Sequence, residues 1–190
     1  MDIILIRHGE TDENVLRTFS TKSAQLTEEG GKQIERIRPF VESQNYDKVY
    51  ISPLDRTRDS ARILGVEGEI EKRIQEVDFG DFEGKTYKEL KELYPEEIEI
   101  WDKDYIKYIT PNGESIELAY ARVTSFLEEL VEKGEDALLV CHAGVIKIAL
   151  SWVFDDLDYF FKFSIENGSA NIISIDEEGF KYIKKMNYTL

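Results

Sequence analysis

The sequence predicts an α/β fold, a three-layer α/β/α sandwich around a mostly parallel central sheet. Three observations carry this reading. Short, wholly apolar, β-branched runs recur along the chain, as strands buried on both faces do. Segments of helical period separate them, so strand and helix alternate over most of the length. The 190 residues contain no linker, internal repeat or low-complexity stretch, which makes residues 1–190 one expected domain.

Ile3 to Ile6 is the first buried strand. From Thr27 to Gln44 the period turns helical, with Ile34, Ile37, Phe40 and Val41 on one face. Lys48 to Ile51 is a second strand, and Ser52-Pro53 after it reads as an N-cap with proline at the first helical position. That helix is expected to run to about Leu64, and Glu69 to Ile74 is a candidate strand. Thr86-Tyr-Lys-Glu89 is a capping box whose helix stops near Pro95. An aromatic-rich helix follows over Glu96 to Tyr108, and residues 85–112 form a candidate cap over one face. Ser115 caps a helix with the apolar stripe Ile116, Ala119, Val123, Phe126, Leu127, Leu130 and Val131, and Gly134 ends it. Ala137 to Cys141 is a buried strand, with a helix over Val145 to Phe154 behind it. Asn171 to Asp176 and Phe180 to Met186 flank Glu177-Glu178-Gly179, a hairpin signal.

Apolar residues at 42% and charged residues at 33% fit a globular protein and exclude disorder. Lys and Arg number 24 against 39 Asp and Glu, a net charge of −15. Such a surface repels a phosphate backbone and an anionic membrane, so neither nucleic acid nor membrane is an expected partner. A small phosphorylated substrate remains compatible, because a basic pocket can sit inside an acidic exterior. The single Cys141 excludes an intrachain disulfide, and with only two histidines a structural zinc site is disfavoured. No metal or cofactor is expected. The apolar run before Arg7 is too short for a secretory leader, so a reducing, cytoplasmic location is expected. Oligomeric state is open, a homodimer included.

Both histidines end a buried strand, His8 after Ile3 to Arg7 and His142 after Leu138 to Cys141. Arg56 lies in the first turn of the helix after the Lys48 to Ile51 strand. In a parallel α/β sheet all of these fall at the carboxyl edge, where such folds bind ligands. Taken alone, either histidine reads as a satisfied structural residue and Arg56 as a surface residue. Together, Arg7, His8, Arg56 and His142 at one edge would repel one another without an anion. A phosphate answers that need, because guanidinium groups hold its oxygens bidentately and helix N-termini add backbone donors. Cys141 beside His142 could suggest a thiol nucleophile, but a buried apolar cysteine is the better reading. Tyr87, Tyr94, Trp101, Tyr105 and Tyr108 could line a site under the cap, and at helical spacing they read better as packing.

Arg7-His8-Gly9-Glu10-Thr11, with Asn14 following, resembles the signature of the histidine phosphatase superfamily, the phosphoglycerate mutase-like family. Leu26-Thr27-x-x-Gly30, Ser52-Pro-Leu-x-Arg56, Glu76-x-x-Phe79-Gly80-x-x-Glu83-Gly84, Gly113-Glu114-Ser115 and His142-Ala143-Gly144 follow in the family's order and cover nearly the whole chain. The resemblance implies a phosphoglycerate mutase-like fold, with His8 as the nucleophile that becomes phosphorylated. It implies Arg7, Arg56 and His142 as the phosphate pocket, Asn14 and Ala143 as further substrate-binding residues, and Glu76 as the proton donor. Between Arg17 and Gln25 the chain departs from the family, reading Thr18-Phe-Ser-Thr-Lys-Ser-Ala where a glycine is common. That loop receives no role.

The chemistry is self-consistent. A neutral imidazole attacks phosphorus and splits hydrolysis into two easier transfers. Flanking arginines disfavour a protonated His8. The positive pocket meets the charge gathering on the equatorial oxygens. Glu76 can protonate the leaving oxygen and then activate water. The expected function is thus a metal-independent phosphomonoesterase acting on a small phosphorylated metabolite. Glu76 to Leu90 resembles the small bacterial-type phosphatases, including those acting on α-ribazole phosphate. A cofactor-dependent phosphoglycerate mutase is the enzyme alternative, disfavoured because Val77-Asp78 follows Glu76 where mutases carry basic residues. A non-catalytic phospholigand-binding protein is the alternative of another class.

Overall fold

β1 (Asp2–Arg7) is held by burial on both faces: Ile3, Ile4, Leu5 and Ile6 are each at most 1% exposed. Period-two alternation sends Ile3 and Leu5 to one layer of helices and Ile4 and Ile6 to the other. β4 (Ala137–Cys141) is buried throughout in the same way. The computed structural model describes all of residues 1–190. With β2 (Lys48–Ile51), β3 (Glu69–Ile70), β5 (Ala170–Ile175) and β6 (Lys181–Tyr188), these form one 6-stranded sheet of order β3-β2-β4-β1-β5-β6. The strands β3, β2, β4 and β1 run parallel, and β5 and β6 form the antiparallel hairpin.

α2 (Glu28–Glu42) and α3 (Asp55–Leu64) cover one face, burying Ile34, Ile37, Val41, Ala61 and Leu64 against β1 and β4. α6 (Ile116–Lys133) and α7 (Ala143–Val153) cover the other, with Phe126, Leu127, Leu130, Ile146 and Leu150 in the larger core. The sandwich expected from the alternation is the observed architecture. α4 (Tyr87–Leu93) and α5 (Pro95–Lys103) lie in the candidate cap segment. They close around a small separate core of Phe82, Leu90 and Ile98, against which Tyr94, Trp101 and Tyr108 pack. Packing therefore accounts for those three aromatics, while Tyr87 and Tyr105 stay exposed. No helix is long and apolar enough to cross a membrane.

Several boundaries differ from the sequence reading, each for a local reason. Ser52 does not cap α3. Leu54 occupies the N-cap, and the Ser52 hydroxyl is spent on His142. The expected strand over Glu69 to Ile74 lasts two residues, because Lys72–Ile74 turns into a 3₁₀ helix capped by Glu71. Pro95 opens α5 at its first position as well as ending the pattern before it, and α5 stops at Lys103 rather than Tyr108. α7 starts at Ala143, immediately after His142. A short helix, α1 (Asp12–Leu16), was not foreseen. Its capping box is Thr11 with Asn14 in place of the usual Glu or Gln.

The turn after β1 passes against the start of α2 at backbone distance. A Cβ on Gly30 would collide with the backbone of Glu10, whereas a Cβ on Gly31 would meet only Ile63 Cδ1 at 3.8 Å. The two adjacent glycines should therefore respond oppositely. Gly30→Ala should destabilise the protein by about 1–3 kcal/mol through overpacking. Gly31→Ala should stabilise by about 0.4–1 kcal/mol through the lower entropy of the unfolded chain. Urea unfolding of both variants checks this, and equal effects would contradict the close approach.

Candidate functional site

The parallel register of β1 and β4 pairs Arg7 with Cys141, so His8 and His142 leave adjacent strand ends side by side. His8 N donates to the Cys141 carbonyl at 3.1 Å. The two imidazoles meet edge to face, with centroids 5.2 Å apart. β2 flanks β4, and this brings the Ser52 Oγ to 2.7 Å from His142 Nε2. α3 delivers Arg56 from its first turn, and Ser60 of the same helix accepts from Gly9 N at 3.3 Å, which ties that helix to the His8-Gly9 turn. His8, Arg56 and His142 are all buried, at 2%, 1% and 0% exposure. The structure thus brings Arg7, His8, Arg56 and His142 to one edge.

His8 Nδ1 lies 2.7 Å from the Gly9 carbonyl. A carbonyl only accepts, so Nδ1 carries the proton and Nε2 keeps its lone pair. Burial, then Arg56 and Arg7, hold the His8 pKa well below its ordinary 6.5, against a smaller opposing effect of the Gly9 bond. Burial, then Arg56, His8 and Arg7, do the same to His142. The Ser52 hydroxyl, able both to give and to take a hydrogen bond, meets His142 Nε2 in either ring tautomer and leaves Nδ1 without a bond. That Nδ1, Arg7 Nε and Arg56 Nε are buried and have no partner. Two guanidinium donors without acceptors, beside an unpartnered ring nitrogen, are a recognisable request for an anion.

Glu76 stands opposite, in the loop after the 3₁₀ turn. Its Oε2 accepts from Gly144 N at 3.3 Å and its Oε1 from Val77 N at 3.0 Å. A Cβ at position 144 would push the Glu76 carboxylate aside, so the glycine there leaves room for that carboxylate where it stands. The carboxylate favours the charged forms of both Arg7 and Arg56, which burial disfavours. Ala143 opens α7 and offers its backbone at the helix N-terminus beside His142. Asn14 is less free than a pure ligand would be. Its Oδ1 accepts from Thr11 N at 3.1 Å and from Asn167 Nδ2 at 2.8 Å, leaving its own Nδ2 as the remaining donor. Cys141 is buried, and burial pushes its thiol pKa up, as the apolar reading of that residue requires.

Some participants were not visible in the sequence. Ser52 looked like a helix cap. The Arg17 to Gln25 loop, left without a role, seats the Thr21 carbonyl on Arg56 Nη1 at 2.9 Å. Glu13 fixes that loop by accepting from Thr21 N and Oγ1, both at 2.7 Å. Lys22 pairs with Asp78 at 2.8 Å across the opening, and the space enclosed beside Arg56 and Glu76 is only about 10 Å³. Backbone carbonyls carry no sequence signal, so Thr21 could not have been found. Lys147, one turn along α7, sits over the Phe160 and Phe161 rings at 5.4 and 5.9 Å, with its pKa lowered mainly by burial.

The depressed histidines make stability depend on pH. Below about pH 6.5 the unfolded chain takes up protons on these side chains that the folded protein refuses. The stability they contribute is present above that pH and is lost as pH falls through the range beneath it. His8→Gln removes one such group. Between pH 6.5 and 5 its unfolding free energy should fall less steeply than that of the parent, by up to about 1.4 kcal/mol per pH unit. Urea unfolding at several pH values measures this, and parallel slopes would contradict the buried neutral imidazole.

The chain matches the model of the histidine phosphatase superfamily (branch 1) over residues 3–189. It is 36% identical over 155 residues to 6-phosphofructo-2-kinase/fructose-2,6-bisphosphatase of Gallus gallus, and equally to 6-phosphofructo-2-kinase/fructose-2,6-bisphosphatase 1 of Homo sapiens. Those matches cover 80% of this chain but 33% and 32% of the relatives, so the chain spans about a third of their length. The solved α-ribazole phosphatase of Shigella flexneri superposes with a TM-score of 0.91 at 26% identity, covering 99% of this chain and 96% of that one. A phosphoserine phosphatase of Entamoeba histolytica, at 24% identity and a TM-score of 0.83, covers 99% of this chain and 97% of that one and shares the fold. With the strand-end histidines, the paired arginines and a model match running almost end to end, the chain belongs to the histidine phosphatase superfamily.

Proposed function

We propose that the chain is a phosphomonoesterase that works through a phosphohistidine on His8 and needs no metal. Membership of the superfamily supports phosphatase activity. The observation that carries the finer reading is the pair of buried, unpartnered guanidinium donors beside a neutral histidine with a free Nε2 lone pair. In the first step Nε2 attacks phosphorus, the bond to the ester oxygen breaks, and Glu76 gives that oxygen its proton. In the second, Glu76 takes a proton from water, the hydroxide attacks phosphorus, and the bond to Nε2 breaks to release phosphate. Arg7, Arg56 and His142 hold the phosphoryl oxygens in both steps, with Asn14 Nδ2 and the Ala143 backbone as further donors. The Thr21 carbonyl takes one N–H of Arg56 Nη1, which leaves the other donors of that guanidinium for the phosphate. Residues 85–112 serve as a cap on one domain. The substrate is a small phosphorylated metabolite, with α-ribazole phosphate among the candidates on the likeness to the Shigella flexneri enzyme.

The mutase alternative needs positive charge to hold an acceptor's carboxylate. The loop after Glu76 supplies none. Val77 is buried in the core, and Lys22 is already paired with Asp78. The cap is no better, since Lys85 Nζ donates to the carbonyls of Asp81 and Glu83. Lys147 is the nearby cation with no carboxylate at ion-pair distance, and it holds a second anionic group if any residue does. Release of phosphate from a panel of alkyl phosphates, measured beside interconversion of 2- and 3-phosphoglycerate with excess EDTA present, tests the proposal. Phosphate release should dominate and survive the chelator. Mutase turnover above release on every ester would overturn the hydrolase reading, and loss of activity restored by a divalent metal would overturn the metal-free one.

A further inference from the structure

The loop that carries Glu76 has almost no regular structure, yet its carboxylate must be placed to within a fraction of an ångström to pass a proton. A linked pair of side chains from outside the loop, Arg122 and Glu114, does most of the holding. Arg122, on the second turn of α6, reaches under residues 73 to 78 and spends three of its five N–H donors there and two on Glu114. Its Nη1 donates to the carbonyls of Arg73 at 2.7 Å and Gln75 at 2.8 Å. Its Nη2 donates to the Glu76 carbonyl at 3.1 Å and to Glu114 Oε1 at 2.6 Å, and its Nε to Glu114 Oε2 at 3.1 Å. Glu114 completes the grip. Its Oε1 also accepts from Asp78 N at 3.0 Å, and its backbone N donates to the Asp78 carbonyl at 2.8 Å. The loop is thereby fixed on both sides of Glu76, at residues 73, 75 and 76 before Val77 and at 78 after it.

We infer that Arg122, paired with Glu114, is the positioning residue for the Glu76 carboxylate, acting on the proton-transfer part of the reaction through that residue alone. The inference rests on the reading of Glu76 as proton donor. Neither side chain faces the anion site: Arg122 donors are all engaged by the loop and by Glu114, and the pair is largely buried, at 23% and 18% side-chain exposure. The bidentate fork is what the task requires. Carbonyls of residues 73, 75 and 76 point at it from different directions, and a planar guanidinium can meet them while a second edge binds a carboxylate. A lysine in its place is a point charge and can satisfy only part of the set. The ion pair with Glu114 keeps the buried guanidinium from being an uncompensated charge.

A double-mutant cycle tests this, read as single-turnover rates of the first step on an alkyl phosphate and on p-nitrophenyl phosphate. The nitrophenolate leaves without a proton, so a defect in acid catalysis appears on the alkyl ester alone. Arg122→Ala should lose about 10- to 100-fold on the alkyl ester and within about threefold on the nitrophenyl ester. In a Glu76→Gln background the same change should cost no more than about twofold on either, because the group it positions is already disabled. Arg122→Lys should recover part of the loss on the alkyl ester, and Glu114→Gln should reproduce the same leaving-group pattern should Arg122→Ala fail to fold. Equal losses on both esters, or losses that add in full to those of Glu76→Gln, would show a merely structural Arg122 and overturn the inference while leaving the role of Glu76 standing. Equal losses on both esters from Glu76→Gln itself would remove Glu76 as the acid, and this inference with it.

Discussion

A buried and a half-buried guanidinium, from Arg56 and Arg7, meet two buried imidazoles at one end of the sheet, with the Glu76 carboxylate as a nearby counter-charge. That imbalance governs the rest of the site. Full protonation of all four cationic groups would be prohibitive at such burial, so the groups with the lowest intrinsic proton affinity give way. The histidines stay neutral and the arginines stay charged. Neutrality is what a nucleophile needs, and the Gly9 carbonyl decides which nitrogen is free to act. Fixed positive charge is what a transferring phosphoryl group needs. Both follow from one arrangement, inside a chain whose overall charge is −15.

The scaffold makes this arrangement affordable by rigidity elsewhere. β1 and β4 are buried on both faces, and their parallel register sets the two histidines side by side without help from any loop. α3 and α7 start at the same edge, so Arg56 and the α7 N-terminus are delivered by helices rather than by mobile connections. Only Glu76 and the Arg17 to Gln25 segment come from irregular structure. They are held by side-chain ties instead, Arg122 and Glu114 beneath one and Glu13 beside the other. The difference suits their tasks. The Glu76 loop is anchored by three charge-assisted bonds from a largely buried guanidinium that is itself held by two more to Glu114. The other loop is tied across the opening by a Lys22–Asp78 pair whose lysine is exposed and whose contribution to stability is small.

How much of this could be read from the sequence depends on the kind of signal. The strands at Ile3 to Ile6 and Ala137 to Cys141 are unambiguous, because continuous β-branched runs have few other uses. The meeting of Arg7, His8, Arg56 and His142 followed from their positions at strand and helix ends once a parallel sheet was inferred. Glu76 had no such signal among 39 acidic residues and came only from family resemblance. Ser52 was misread because a serine before a proline and a helix is the usual N-cap, and tertiary contact with His142 outranked that local preference. Arg122 lies off the apolar stripe of its helix and carries no signal of its own in the sequence. Its partners are backbone carbonyls of a distant loop, and backbone atoms leave no trace in a sequence. The same holds for the Thr21 carbonyl on Arg56.

The central claim is that His8 Nε2 becomes covalently attached to phosphorus. The most direct measurement is a rapid acid-free quench of turnover with phosphorus-labelled ester, followed by peptide mapping of the label. Label on His8 that is stable to base and lost in acid is the expected result, and it should be absent from His8→Ala. Label on Cys141, on a serine or on an aspartate, or turnover in His8→Ala at the rate of the parent, would contradict it.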